Sequence, residues 1–178
     1  MNLSCKQFRR SGVSALCSAG LYLALTGSLL AAECPPAGER FVADGEETII
    51  DTQSLLMWRR CPEGLQGDRC QQGSLLGFNW RQGVERLAQN NAAGLAGYDD
   101  WGIPTLAQLQ TLTSGAACAK GDGAAAVLPS WPDGYFWSRS SPQGKSYVKR
   151  TFSLETGQPA LSNQGTYGVH LWLVRRLE

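Results

Sequence analysis

The first 32 residues of this 178-residue chain differ so sharply from the rest that they limit which part can form the folded domain. Three basic residues within positions 1–10 supply the only charges in this segment, and an uncharged, largely apolar run of 22 residues follows from 11 to 32. A basic start, an apolar centre and small residues before a cleavage point are typical of an export signal. We therefore predict that residues 1–32 are a signal peptide and that residues 33–178 form a single domain.

Retention of the same segment as a membrane anchor is the alternative, because 22 uncharged residues approach the ~20 that span a bilayer. Cleavage leaves 146 residues with 13 basic and 15 acidic side chains, and no membrane span. A slightly acidic domain gives no reason to expect a nucleic-acid partner.

Four of the six cysteines remain after cleavage, and an even number in an exported chain predicts two disulfides, with three possible pairings. Cys61 and Cys70 bracket a turn-rich excursion that a local bridge would close. Cys34 and Cys118 then form the second pair, which contributes about 4 kcal/mol in the chain-entropy model. Zinc is disfavoured, because the chain has one histidine and no C-x₂-C spacing.

Two helix starts are marked by a capping residue with a glutamine three positions later. The first begins after Asn79 and fades at 90–91, and its apolar residues recur at helical spacing. The second begins after Thr105, again with leucines at helical spacing, and stops near 114–115. The sequence therefore predicts two short helices.

Short apolar stretches with turn residues between them predict strands on either side of the helices. The last of these has apolar residues on both faces and is predicted to be one central, buried strand. The predicted strands are 48–51 and 55–59, which form a hairpin, then 135–138, 147–154, 160–161 and 169–175. This order predicts an α+β domain with two helices packed on a small, mainly antiparallel sheet. Five tryptophans within these patterns are predicted to be core: Trp58, Trp80, Trp101, Trp137 and Trp172.

Several ordered motifs resemble the Lcl C-terminal-like domain family, long known as a domain of unknown function. The similar segments are Arg40-Phe41, Thr48 to Trp58 ("T-v-x-D…GLMW"), Arg60 to Cys70 ("RCxxG…C"), Gly97 to Thr105 ("GYsDWRLPt"), Gln108 to Leu112 ("ELqsL"), Tyr135 to Ser138 ("YYWSS") and Val174-Arg175. Two positions depart from the family pattern: Gly102 replaces its usual arginine and Gln108 its frequent glutamate. A structural ion pair between those two residues in relatives would be missing here.

The resemblance implies a compact C-type-lectin-like or formylglycine-enzyme-like α+β fold. It also implies an exported, surface-associated binding module, since some relatives act in adhesion or glycan binding and often as oligomers. No general catalytic activity comes with the family.

An exposed aromatic ring that carries a sugar is the expected centre of a lectin-like site, and Trp131 and Tyr167 are the best candidates in loops. A basic stretch near them would attract sulfated or acidic glycans, although a solvated strand face is the simpler interpretation. Its members are Arg139, Lys145, Lys149 and Arg150.

Metal binding and catalysis are weakly indicated. Asp99 and Asp100 are a weak calcium candidate, and capping of the turn before Trp101 is the simpler interpretation. The single His170 lies in an apolar strand, where a core role is more common than general-base catalysis. We expect no catalytic residue, no resident metal and no cofactor.

The preferred hypothesis is a periplasmic, secreted or cell-surface binding module that is not an enzyme, with a glycan or another exported protein as its partner and homo-oligomer formation as an option. The alternative is a structural or inhibitory envelope protein that binds another exported protein.

Overall fold

A computed structural model describes residues 40–113 and 133–177, which belong to one compact unit. Within these residues the chain forms an α+β domain with helices α1 (Trp80–Ala92) and α2 (Leu106–Thr113), separated by a short 3-10 helix at Leu95–Gly97. Both helices were predicted, and their presence is confirmed. None of the described helices is long and apolar enough to cross a membrane.

Eleven short strands in the described residues form three sheets, where the sequence predicted one. In chain order they are β1 (Phe41–Asp44), β2 (Thr48–Asp51), β3 (Leu56–Arg59), β4 (Leu65–Gln66), β5 (Gln72–Gly73), β6 (Gly77–Phe78), β7 (Tyr135–Trp137), β8 (Val148–Ser153), β9 (Pro159–Asn163), β10 (Val169–His170) and β11 (Val174–Arg176). A four-stranded sheet has the order β1-β2-β3-β11, a five-stranded sheet has the order β6-β10-β7-β8-β9, and β4 pairs with β5.

The four-stranded sheet is antiparallel throughout and contains the predicted β2–β3 hairpin. Strand β3 begins one residue later than predicted, because Leu55 lies in the turn with a φ of 52°. Trp58 lies opposite both Ile49 and Val174, and all three side chains are buried. Strand β1 was not predicted, since most of its side chains are exposed and show no apolar alternation.

The five-stranded sheet is covered on both faces, one by each helix. Trp137 of β7 packs with Trp80 and Leu87 of α1 in one hydrophobic cluster. The adjacent residue Phe136 points to the other face and packs with Leu109 of α2 in a second cluster. Its pairings are antiparallel except for β10 against β7, which is parallel, so the prediction of a mainly antiparallel architecture is confirmed.

The prediction of a single C-terminal strand over 169–175 is wrong in one respect. This segment forms two strands that lie in two different sheets. Strand β10 ends at His170, and β11 begins at Val174 beside β3. The three residues between them are fully buried, as predicted. The chain crosses from one sheet to the other here. Two backbone hydrogen bonds hold the crossing: Leu171 O accepts from Glu63 N at 2.9 Å, and Leu173 O accepts from Arg59 N at 3.0 Å.

The excursion after β3 is closed by a disulfide between Cys61 and Cys70, with an S–S distance of 2.01 Å. This confirms one of the two predicted disulfides. The predicted partners Cys34 and Cys118 lie outside the described residues. Within the excursion Glu63 is 8% exposed, and its carboxylate accepts from Arg86 Nε at 2.6 Å and Asn90 Nδ2 at 2.7 Å on α1.

A buried ion pair closes the start of the four-stranded sheet. Asp51 is fully buried, and its carboxylate accepts from Arg40 Nε at 3.0 Å and Nη2 at 2.8 Å. The Ser54 hydroxyl donates to the same carboxylate at 2.7 Å. Burial raises the pKa of Asp51, but the bonds from Arg40 and Ser54 outweigh it and hold that pKa below its usual range.

Candidate functional site

The predicted basic stretch does not form one surface, because Lys149 and Arg150 are neighbours on β8 and point to opposite faces. Lys149 lies over the ring of Trp80, with its Nζ 4.6 Å from the ring centroid. The same ammonium donates to the Ser141 hydroxyl at 3.1 Å. The first contact places Lys149 against α1 and the second bonds it to the segment after β7, so Lys149 has a packing role in addition to its charge.

Arg150 lies on the face of β8 that carries Phe152, which packs towards α2. It is half-buried, and its partner across the β8–β9 pair is Leu161. Its backbone is bonded on both sides to the segment after β7, since Arg150 N donates to Ser140 O and Arg150 O accepts from Ser138 N.

Arg139 lies in the segment after β7, between Ser138 and Ser140, the two residues that bond to the backbone of Arg150. Its backbone N–H donates to Pro104 O at 2.8 Å, which holds it beside the start of α2. Its exposed side chain borders a cavity that also contacts Asp100, Gly102 and Arg175.

Two tyrosines form the most exposed aromatic feature among the described residues. Tyr167 is 70% exposed and Tyr147 is 62% exposed. Gln164 connects their segments: its N–H donates to Tyr147 O at 3.2 Å, and its side-chain amide donates to Ser146 O at 2.8 Å. Lys145 is exposed in the turn before Tyr147. We call these four residues the tyrosine surface: Lys145, Tyr147, Gln164 and Tyr167.

The N-terminus of α1 holds this surface in place. Trp80 N donates to Gln164 O at 2.9 Å, so the turn that carries Tyr167 is fixed to the first residue of the helix. The helix start is itself well defined, because Asn79 and Gln82 form a reciprocal capping box. The Trp80 ring packs edge-on against Trp137 with centroids 5.6 Å apart. The backbone segments that carry the two exposed rings are therefore bonded, through Gln164, to the start of α1.

The structure thus places two predicted ligand residues, Lys145 and Tyr167, on segments joined by Gln164, and it places Arg139 and Arg150 elsewhere. Trp131, the other predicted aromatic, lies outside the described residues. The sequence missed Tyr147, because it directly precedes an apolar strand and was counted with that strand.

Asp99 and Asp100 lie in one turn, and the carboxylate of Asp100 is already paired with Arg175. Asp100 accepts from Arg175 Nε at 2.6 Å, and this bond holds the pKa of Asp100 below its usual range. Arg175 also lies over the Tyr98 ring, 4.1 Å from its centroid. Among the described residues no three His, Cys, Asp or Glu side chains group as metal ligands.

His170 occupies a packing position. Its Nδ1 is 2.9 Å from Leu76 O, and its ring packs against Phe136 with centroids 5.6 Å apart. Gly134 approaches the other edge so closely that a Cβ there would lie 2.8 Å from His170 Nε2. Leu76 and Gly134 therefore flank the imidazole on two sides.

The sequence also missed a cavity of about 420 Å³ beside the disulfide. It is lined by both acidic and basic side chains, among them Glu47, Arg59, Asp68 and Arg86. Only the long-range packing of the excursion against α1 brings them together, so no local motif signals it.

Residues 47–175 match the family model of the Lcl C-terminal domain. The match begins just before β2 and ends within β11, so it includes both tyrosines of the tyrosine surface. No curated protein matches the chain.

Proposed function

Because this chain belongs to the Lcl C-terminal domain family, we propose that it is an exported binding module, not an enzyme, and that it binds glycans through the tyrosine surface. The observation that carries the proposal is the exposure of Tyr147 and Tyr167 on two joined segments. Exposed aromatic side chains on neighbouring segments support a binding site, because contiguous exposed apolar surface is typical of such sites.

The chemistry of the surface suits a sugar. A tyrosine ring offers an apolar face for the C–H groups of a pyranose, and its hydroxyl is available for hydrogen bonding. Lys145 adds a positive charge beside Tyr147, which favours acidic or sulfated sugars. Side chains with few rotatable bonds lose little entropy on binding, which favours tyrosine in such a role.

Export is the second part of the proposal. The Cys61–Cys70 disulfide is typical of periplasmic, secreted or cell-surface proteins, because cytosolic thiols are kept reduced. We extend the proposal to a second disulfide between Cys34 and Cys118 and to a C-type-lectin-like architecture. We also propose that the export signal is cleaved after residue 32.

A glycan array and a heparin column test the binding function. We expect the purified chain to bind acidic oligosaccharides, and we expect Tyr147→Ala with Tyr167→Ala to reduce the affinity about tenfold or more. Leu55→Ala is the matched control, because Leu55 is also 62% exposed and lies in the turn between β2 and β3. Absence of binding on both the array and the column, or equal loss in the control, would count against the proposal.

A further inference from the structure

A cavity of about 250 Å³ lies where the start of α2 meets the end of β11. Gly102 forms part of its wall, and a Cβ there would meet only Val174 O, at 3.6 Å, so a larger side chain could be accommodated at this position. Gly102 is bonded to Val174 in both directions, with N···O distances of 2.8 and 3.1 Å, so the wall is fixed. We call this the arginine cavity, lined by Asp100, Gly102, Gln108, Arg139, Arg175 and Arg176.

The charges of the arginine cavity are unequal. Among the described residues that line it are three guanidinium groups and one carboxylate, and that carboxylate, Asp100, is paired with Arg175. Arg139 and Arg176 are both exposed and make no ion pair with any carboxylate in the described part of the chain. Two positive charges without a carboxylate partner among the described residues therefore border this cavity.

A donor without charge adds to this set. Gln108 Oε1 accepts from Thr105 N at 2.8 Å, which uses the carbonyl end of its amide and leaves the NH₂ group to donate. Guanidinium and amide N–H groups match the oxygens of a carboxylate, and an arginine can bind both oxygens at once.

A second, more apolar cavity of about 460 Å³ shares Gln108 and Arg176 with the first. Its aliphatic lining includes Leu56, Ala107 and Leu177. A ligand that occupies both cavities combines an anionic group with an aliphatic group close to it.

We propose that the two cavities together bind an aliphatic carboxylate, whether free or at the C-terminus of a polypeptide. The carboxylate lies between Arg139 and Arg176, and the aliphatic side chain packs on Leu56 and Leu177. This site is separate from the tyrosine surface and does not depend on glycan binding.

Titration of the full purified chain with N-acetyl-leucine, followed by NMR, tests this proposal. We expect N-acetyl-leucine to bind about tenfold more tightly than N-acetyl-leucinamide, which lacks the charge, and than acetate, which lacks the side chain. Tighter binding of a tetrapeptide ending in leucine identifies a polypeptide terminus as the source, and equal binding identifies a small acid. Equal affinity for the acid and its amide, or no binding of either, overturns the proposal.

Two substitutions locate the site. Arg139→Gln removes one of the two charges, and Gly102→Leu fills the cavity; both are expected to lower the affinity for N-acetyl-leucine about tenfold. Gly165→Leu is the matched control, because a Cβ at Gly165 meets nothing within 4 Å. Thermal unfolding shows whether each variant is folded. A folded Arg139→Gln protein with wild-type affinity contradicts the proposal.

Discussion

At the scale of single residues, Asp51 connects Arg40 to the turn between β2 and β3. Its buried carboxylate is paired with Arg40 and accepts from Ser54. We expect Asp51→Asn to lower the free energy of unfolding by about 3 kcal/mol at pH 7, because it removes the negative charge that faces the largely buried guanidinium of Arg40. Denaturant unfolding measures the loss. Asp68→Asn is the control, since Asp68 is exposed and makes no ion pair among the described residues.

The same residue predicts a pH dependence. The pKa of Asp51 is lower in the folded chain than in the unfolded chain, so the folded state binds fewer protons in acid. The stabilisation is therefore complete above about pH 4, the unfolded value, and is lost as the pH falls through the lower folded value. Wild type and Asp51→Asn should differ less in unfolding free energy at pH 2–3 than at pH 7. A difference that is independent of pH would contradict this assignment.

At the scale of single elements, the start of α1 supports the tyrosine surface. We expect Asn79→Ala to reduce the free energy of unfolding by about 1 kcal/mol, because Asn79 accepts from Gln82 N at 2.9 Å in the capping box. Denaturant unfolding measures this effect, and Gln89→Ala, an exposed change on the same helix, is the control. Equal effects of the two substitutions would show that the cap contributes nothing.

Elements specified by neighbouring residues were predictable. A capping residue and a glutamine three positions later located both helices, and the same hydrogen bonds are present at Asn79 and at Thr105. Apolar residues on both faces likewise placed Val169 and the residues from Leu171 to Val174 in the core.

Elements that depend on distant partners were not predictable. The break between β10 and β11 depends on Glu63 and Arg59, more than 100 positions away, whose backbone N–H groups donate to Leu171 O and Leu173 O where the chain crosses between sheets. The sequence predicted only Lys145 and Tyr167 of the tyrosine surface. Gln164 joins Tyr147 to the segment of Tyr167 through a backbone hydrogen bond, and no local sequence pattern indicates such a bond.

At the scale of the whole molecule, the free energy of unfolding depends on disulfides, which persist only in an oxidising compartment. Replacing Cys61 and Cys70 by alanine should reduce the free energy of unfolding by about 3 kcal/mol in the chain-entropy model. Adding a reductant to this double variant tests the proposed Cys34–Cys118 bridge, which should cost a further ~4 kcal/mol when reduced. No response of the variant to the reductant would contradict the second bridge.

The location of the glycan site is the central claim, and an NMR titration with the tightest-binding oligosaccharide from the array tests it most directly. Backbone amide shifts should change most at 145–147 and 164–168, and the Tyr147→Ala, Tyr167→Ala variant should show no such changes at the same concentration. Changes concentrated around Arg139 and Arg176, or in the cavity beside the Cys61–Cys70 disulfide, with the tyrosine segments unaffected, would contradict the account.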